Sequence, residues 1–392
     1  MSPARRFVFA GVLALLAWAG WQLVAHRHAE RDASAALAEA NARLRAGDAD
    51  GAARIARGAL TQAPGQGRAF GILARALDDE TDDPASRQRY AIAARRAPRD
   101  AGVRVALAAD ALEGGDHAAA LVQLDALLTI APSRRQDLFG AIAQLCDDPD
   151  FADALAAHLA HRPRWRAGAL RAIADTARPE AKDRLYGALR AAGDLGPDEA
   201  ARWIEGMLRE GRWGDAYARW FAGIDPAPSR LPVPWNGDFA APIGGAGFDW
   251  RLRPTAGVAT QRVRTSSGHA LRLRFIGRPV ARTGLEQPLL LAPGPHVLHW
   301  RARTDDLRSD QGLAWELACA RGRAIARGAA VRQAEAWTER ALAFEVPERD
   351  CDGQWLRLVN PAPRGVAQIV RGELLVSDVR ISAGGEQNPH SP

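Results

Sequence analysis

Two tryptophans in the C-terminal part of the chain occupy strand positions whose side chains are predicted to point away from the core. Trp337 has the opposite parity to Leu342, and Trp355 has the opposite parity to Leu356. Because successive side chains of a strand point to opposite faces of a sheet, both indoles are expected to be exposed. The negative face of an exposed indole can stack on the apolar C–H face of a sugar ring. The two tryptophans are therefore candidate glycan-binding residues, unless a loop or the helical part of the chain covers them.

Arginines share these outward-facing positions and would add charge to the same surface. In the strand predicted over residues 269–276, arginines alternate with leucines, and arginine has the outward parity in two further predicted strands. Guanidinium groups bind carboxylates through charge-assisted hydrogen bonds, so a glycan with uronate or other acidic groups would suit them. The arginines predicted to bind glycan are Arg272, Arg274, Arg301 and Arg357.

The sequence carries no motif of a known catalytic site. It has no HExxH zinc motif, no G-x-S-x-G elbow and no phosphate-binding loop, and the glycine run at 244–247 has the wrong spacing for a dinucleotide fingerprint. A carboxylate pair for glycoside hydrolysis is defined only in space, so that alternative stays open. The expectation is a protein without enzymatic activity, cofactor or metal site.

Residues 236–383 contain the pattern that would hold these side chains. They read as about eight short alternating segments separated by Gly, Pro, Asp and Ser, which is typical of an all-β sandwich. Cys319 lies in one predicted strand and Cys351 lies just before another, so an oxidising compartment would allow a disulfide between them. Cys146 lies in a helical context, and we expect it to be a buried thiol.

Residues 30–224 are predicted to form an all-α solenoid that resembles tetratricopeptide (TPR) repeats. Ala-Pro pairs recur every 34 residues, which is the TPR period, and a later unit spans residues 197–228. The segment between is less regular, although its apolar spacing remains helical. Such an array presents a concave groove for a partner protein, and the alternative is that it only spaces the C-terminal domain from a membrane. The three pairs are Ala63-Pro64, Ala97-Pro98 and Ala131-Pro132.

Charge does not indicate a nucleic-acid partner. The chain has 52 Lys and Arg against 46 Asp and Glu. All but one of the basic residues are arginine and alanine is abundant, which suggests a GC-rich genome rather than a binding site. Residues 30–235 are close to neutral, with 28 basic and 30 acidic side chains, whereas the part that follows has an excess of five positive charges.

Two segments are predicted to lie outside the folded domains. Residues 225–235 are rich in proline and are predicted to form a stiff linker between the helical and β regions. Residues 384–392 are predicted to be a disordered tail. The linker thus marks the expected domain boundary.

The N-terminal segment, residues 1–29, is predicted to deliver the chain to the membrane. Residues 7–24 form an apolar run long enough for the lower end of a membrane span, and the preceding Arg5 and Arg6 favour a cytoplasmic N-terminus. A single-pass inner-membrane anchor would leave the bulk of the chain periplasmic. The alternative is a cleaved signal peptide, since Ala17-Trp18-Ala19 matches the small-x-small cleavage pattern.

The two ends of the β region carry short motifs, which are Asn236-Gly237-Asp238-Phe239, Gly247-Phe248-Asp249-Trp250 and Ser377-Asp378-Val379-Arg380-Ile381. Over roughly residues 234–383, these motifs resemble the ends of jelly-roll carbohydrate-binding modules. Such modules often continue the first motif with a Glu that holds a structural calcium ion, whereas this chain has Ala240, which leaves Asp238 and Asp378 as the candidate calcium ligands.

The order of anchor, TPR array and sandwich resembles envelope proteins that accompany bacterial exopolysaccharide production. The resemblance implies a non-enzymatic periplasmic protein that binds a glycan through its sandwich and an envelope protein through its TPR groove. The alternative is a scaffold that binds only proteins and uses the sandwich as a structural cap.

Overall fold

The computed structural model describes residues 3–77, 84–224, 231–361 and 366–384. The chain divides into two compact units, Met1–Asp194 and Leu195–Pro392. A helical N-terminal half and a C-terminal two-sheet β-sandwich were predicted, and both are confirmed. Residues 225–230 of the predicted linker and residues 385–392 of the predicted tail lie outside the described residues.

The N-terminal unit is entirely helical where the structure describes it. The helices are α1 (Pro3–Arg45), α2 (Ala49–Gln62), α3 (Gly67–Ala76), α4 (Pro84–Arg96), α5 (Ala101–Glu113), α6 (His117–Ile130), α7 (Arg135–Leu145), α8 (Pro149–Leu159), α9 (Arg166–Thr176) and α10 (Pro179–Ala191).

The helix starts follow the spacing seen in the sequence. α3 and α5 begin at Gly67 and Ala101, which are 34 residues apart. Asp48 and Asp116 cap α2 and α6 in the same way, because each carboxylate accepts a hydrogen bond from the backbone N–H three residues later, at 2.8 and 2.9 Å. Gly47-Asp48 and Gly115-Asp116, which are 68 residues apart, therefore lie at equivalent places, where one helix ends and the next begins.

Residues 7–24, the predicted membrane segment, lie within α1, and most of their side chains lie outside what the structure describes. Among the residues that the structure does describe, no helix combines the length and the apolar character needed to cross a membrane.

Cys146 directly follows α7 and is buried, with 1% of its surface exposed. Burial, together with the negative charge of Asp147, raises the pKa of its thiol to about 12. Because the thiolate is the reactive form, we expect iodoacetamide at about pH 8 to leave the folded protein unmodified and to alkylate the denatured, unreduced chain once. Intact-mass spectrometry measures both. Rapid alkylation of the folded protein would contradict the burial.

The C-terminal unit joins a helical hairpin to a sandwich of two five-stranded antiparallel sheets. We name them sheet A, in the order β1-β4-β9-β6-β7, and sheet B, in the order β2-β3-β10-β5-β8. The elements are α11 (Pro197–Arg209), α12 (Trp213–Phe221), β1 (Arg251–Leu252), β2 (Val258–Thr265), β3 (Gly268–Val280), β4 (Arg282–Leu289), β5 (Gly294–Arg308), β6 (Ala314–Cys319), β7 (Ala324–Arg327), β8 (Thr338–Val346), β9 (Gln354–Val359) and β10 (Gln368–Ala383).

The core between the sheets is formed by the side chains that point inward from each strand. Leu271 and Leu273 of β3 are fully buried, as are Leu298 of β5 and Leu356 of β9. Trp315 of β6 is also in this core, with 1% exposed. The outward-facing positions of the strands therefore include the charged and aromatic side chains described below.

The opening and closing motifs of the sandwich are joined to each other. The backbone N–H of Val379 donates to the carbonyl of Gly237 at 2.9 Å. A Cβ at Gly237 would lie 1.9 Å from that Val379 oxygen, so the close approach requires glycine. The indole N–H of buried Trp250 donates to the carbonyl of Asn236 at 3.0 Å. The two ends of the region thus meet around one buried aromatic side chain.

The sulfur atoms of Cys319 and Cys351 are bonded, with an S–S distance of 2.12 Å, and the two positions are 32 residues apart in the chain. Cys319 ends β6, and Cys351 lies in the turn before β9. The disulfide therefore joins the end of one strand to the turn that leads into its neighbour in sheet A.

Candidate functional site

The six residues predicted to bind glycan are divided between the two outer faces of the sandwich. Trp355 and Arg357 lie on β9 in sheet A. Arg272 and Arg274 lie on β3, and Arg301 lies on β5, both in sheet B. Trp337, the sixth, immediately precedes β8, which is the edge strand of sheet B. The structure therefore offers two separate surfaces rather than one.

Trp355 does point outward from sheet A, but a helix of the same unit covers it. The ring of Trp213, the first residue of α12, lies edge-on at 5.8 Å from the ring of Trp355. A Cβ at Gly353 would lie 2.0 Å from that same indole, so glycine allows the ring to lie against the backbone. Trp355 is thus partly covered by Trp213, which is the alternative that the sequence left open, and its role in glycan binding stays a prediction.

Arg357 is likewise engaged within the protein. Its Nε donates to Glu286 at 3.2 Å, and its guanidinium lies 5.1 Å from the ring centre of Trp355. The strand register places it in a row of alternating charge across all five strands of sheet A. The row is Arg251, Glu286, Arg357, Glu316 and Arg327. Because each cation has an anion beside it, this face is poorly suited to attract a further anion.

Sheet B has a different charge pattern on its outer face. The register places Arg272 and Arg303 on either side of Leu375, so their strands are about 10 Å apart. The guanidinium groups of Arg301 and Arg303 lie 5.3 and 5.9 Å from the ring centre of Trp337, which is half-exposed. Four of the six predicted residues are therefore brought to one face, with Arg303 added.

The acids on this face neutralise only part of its positive charge. Glu373 lies 3.8 Å from Arg272 and 3.9 Å from Arg274. Asp378 lies 3.1 Å from Arg301. Arg303 forms no ion pair with any residue that the structure describes. The face therefore has free positive charge beside an aromatic ring.

His299 adds no positive charge to this surface at neutral pH. Burial, and then the neighbouring positive charge of Arg380, hold the pKa of His299 below its ordinary value, although Glu339 acts in the opposite direction. A histidine whose pKa is lowered is uncharged near pH 7. The charge of the surface therefore comes from arginine, which does not titrate in the physiological range.

A cleft of about 420 Å³ lies beside this face, where the opening and closing motifs meet. Trp235, Asp238 and Asp378 line it. Arg301 compensates the charge of Asp378, and Asp238 accepts a hydrogen bond from the backbone of Ala240 at 3.1 Å. Among the described residues no group of three or more His, Cys, Asp or Glu side chains could hold a metal ion.

Sequence reasoning missed Arg303, although its signal was present. Arg303 has the same parity as Arg301 on β5, and alternation alone would have included it. It missed Trp213 for another reason, because contact between a helix and a distant strand leaves no periodic pattern in the sequence.

No protein-family model and no curated protein sequence matches the chain. Solved structures similar to its C-terminal region include carbohydrate-binding modules. A family 4 module is 11% identical over 38% of this chain and 99% of its own, with a TM-score of 0.30. The CBM22-1 xylan-binding domain of Paenibacillus barcinonensis Xyn10C is 13% identical over 38% of this chain and 94% of its own, with a TM-score of 0.28. TmCBM61 in complex with β-1,4-galactotriose is 11% identical over 39% of this chain and 99% of its own, with a TM-score of 0.26. Likeness of this degree does not identify a ligand.

Proposed function

We propose that this protein binds an acidic polysaccharide through the outer face of sheet B, without enzymatic turnover. The observation that carries the proposal is the position of Trp337 beside Arg301 and Arg303, with Arg272 on the same face. A half-exposed indole gives the apolar contact that a sugar ring requires, and the guanidinium group of Arg303, which forms no ion pair with any described residue, gives the charge that a uronate requires.

The helical unit is proposed to be a TPR-like solenoid that binds a partner protein. The spacing of 34 residues between the starts of α3 and α5, and the equivalent caps of α2 and α6, support a repeat. Membrane anchoring through residues 7–24, a periplasmic location and a role in envelope or exopolysaccharide assembly or export stay predictions of the sequence.

A scaffold function is the second candidate, and one contact favours it. Trp213 of α12 occupies the outer face of sheet A, so one face of the sandwich already serves to pack against helices. If sheet B bound no glycan, the sandwich would be a structural cap for a chain that binds only proteins.

Replacing Trp337 with Ala should weaken binding to an acidic polysaccharide about fivefold, because an aromatic contact contributes on the order of 1 kcal/mol beyond its buried area. The measurement is retardation of the full chain in gels that contain polygalacturonate, across a salt series, with xylan as the neutral comparison. Retardation by polygalacturonate should fade as salt rises, because the arginines of this face are solvent-accessible.

Two variants make this result specific. Trp337→Phe should retain most of the binding, and Arg349→Ala, at an exposed position after β8, should retain all of it. Unchanged retardation of Trp337→Ala would show that sheet B is not the site. A wild-type chain that no polysaccharide retards would favour the scaffold.

A further inference from the structure

The helical unit contains a polar cleft of about 440 Å³ bounded by α1, α3 and α5. We name it the arginine cleft. The charged and amide side chains that line it come from the C-terminal end of α1, from both ends of α3 and from the turn before α5. They are Asn41, Arg45, Arg68, Arg75, Arg99 and Asp100.

Charge in this cleft is unbalanced, although the region around it is not. Residues 30–235 carry 28 basic and 30 acidic side chains, yet the cleft collects four arginines and one carboxylate. That carboxylate, Asp100, is already engaged, because it accepts hydrogen bonds from the backbone of Gly102 and Val103 at 2.9 and 3.3 Å. It also lies 3.8 Å from Arg75. The remaining arginines therefore have no anion in the cleft to compensate them.

Arg68 and Arg99 are the clearest examples of arginines in the cleft whose charge is not compensated. Both are exposed, and neither forms an ion pair or a hydrogen bond with any residue that the structure describes. Like charges held in one concave surface repel each other, and a bound anion would remove this cost. The guanidinium fork suits carboxylates in particular, since two parallel N–H groups meet two oxygens.

The floor of the cleft adds an apolar element. Leu37 and Ile72 line it, and both are 3% exposed, so their contribution is a small apolar surface at the base of charged walls. The half-exposed side-chain amide of Asn41 lies on the same α1 face, one turn from Leu37. An amide both donates and accepts hydrogen bonds, which is what the backbone of an extended peptide needs.

We propose that the arginine cleft binds an acidic peptide segment in which carboxylate side chains alternate with apolar ones. The carboxylates pair with Arg68 and Arg99, and an apolar side chain lies over Leu37 and Ile72. This names the site and the partner chemistry for the helical unit, and it rests only on the partner-binding half of the proposed function. Polysaccharides lack the apolar side chain, and single-stranded nucleic acids would need aromatic platforms, which are not among the described residues that line the cleft.

The test measures fluorescence anisotropy of the full chain with a labelled peptide that alternates Glu and Leu. The same peptide with Gln in place of Glu should bind at least about tenfold more weakly, because hydrogen bonds to charged groups are the stronger ones. The double variant Arg68→Ala/Arg99→Ala should weaken binding of the Glu-Leu peptide about tenfold per arginine. A peptide with Ser in place of Leu tests the apolar floor and should also bind more weakly.

A matched control has the same change of charge elsewhere in the unit. Arg57 of α2 and Arg134 between α6 and α7 are exposed and do not line the cleft. Arg57→Ala/Arg134→Ala should bind the peptide as the wild type does. Equal melting temperatures of both double variants, measured by circular dichroism, would show that any loss of binding is not a loss of folding.

Several outcomes would overturn the proposal. One is equal weakening by the cleft variant and the control variant, which would indicate binding to net charge alone. Another is equal affinity of the cleft for the Gln peptide and the Glu-Leu peptide. A third is displacement of the Glu-Leu peptide by polygalacturonate or single-stranded RNA added at a comparable concentration of negative charge. Trp337→Ala should leave peptide binding unchanged, so failure of the glycan site and failure of the cleft are separable results.

Discussion

Replacing Trp213 with Ala is expected to lower the free energy of unfolding of the unit Leu195–Pro392 by about 4 kcal/mol. Trp213 is 3% exposed. Its ring lies at 5.8 Å from Trp355 and 6.0 Å from Phe248, and it fills the space over Gly353. Alanine would leave a cavity that the rigid sheet behind it cannot close, because Gly353 has no side chain to move into it.

The measurement is urea denaturation of the full chain, followed by circular dichroism in the region where the β-sheet dominates. Trp213→Phe is the matched variant, because it keeps an aromatic ring in the same place. It should lower the free energy of unfolding clearly less than Trp213→Ala does. If Trp213→Ala shifted the transition by less than about 1 kcal/mol, α12 would not be docked on the sheet in solution.

This contact explains why the predicted site divides into two surfaces. Alternation along β9 correctly predicts that Trp355 points away from the core, since Leu356 beside it is fully buried. Alternation says nothing about what lies above the sheet, because a contact with Trp213 depends on how a helix folds back onto it. Outward orientation is therefore predictable from the sequence, and exposure is not.

Charge pairing shows the same limit. Arg357 is a reasonable candidate for binding an acidic sugar until Glu286, 71 residues away in the chain, is found 3.2 Å from it. The partner is fixed by the register between β4 and β9, which the sequence pattern does not specify for non-adjacent strands. Arg303 differs from Arg357. Its outward orientation follows from alternation along β5, and only the absence of an ion-pair partner among the described residues had to be read from the structure.

The helical unit was more predictable than its cleft. Gly-Asp and Ala-Pro pairs mark helix ends through local backbone and capping chemistry, so the starts of α2, α3, α5 and α6 follow from the sequence. The arginine cleft is assembled from Arg45, Arg68 and Arg99, which follow no common spacing. Lateral packing of α1, α3 and α5 brings them together, and that depends on tertiary structure.

Loss of the disulfide should also destabilise the sandwich strongly. The double variant Cys319→Ala/Cys351→Ala is expected to lower the free energy of unfolding of the C-terminal unit by about 3–4 kcal/mol, because the bond closes a loop of 32 residues. Both half-cystines are buried in the core cluster of the sandwich, at 0% and 7% exposed. The free chain therefore gains conformational freedom on loss of the bond, while the folded chain gains no compensating contact.

Urea denaturation of the wild type with and without reductant, beside the double variant, measures the effect. Cys146→Ala is the control, because it removes a cysteine from the other unit and leaves the disulfide in place. The reduced wild type and the double variant should show the same lowered midpoint for the C-terminal unit, and Cys146→Ala should keep that midpoint where it is. A midpoint that does not respond to reductant, or alkylation of all three cysteines in the denatured but unreduced chain, would show that the bond is not formed. Formation of the bond would in turn agree with export to an oxidising compartment, where an acidic polysaccharide could reach sheet B.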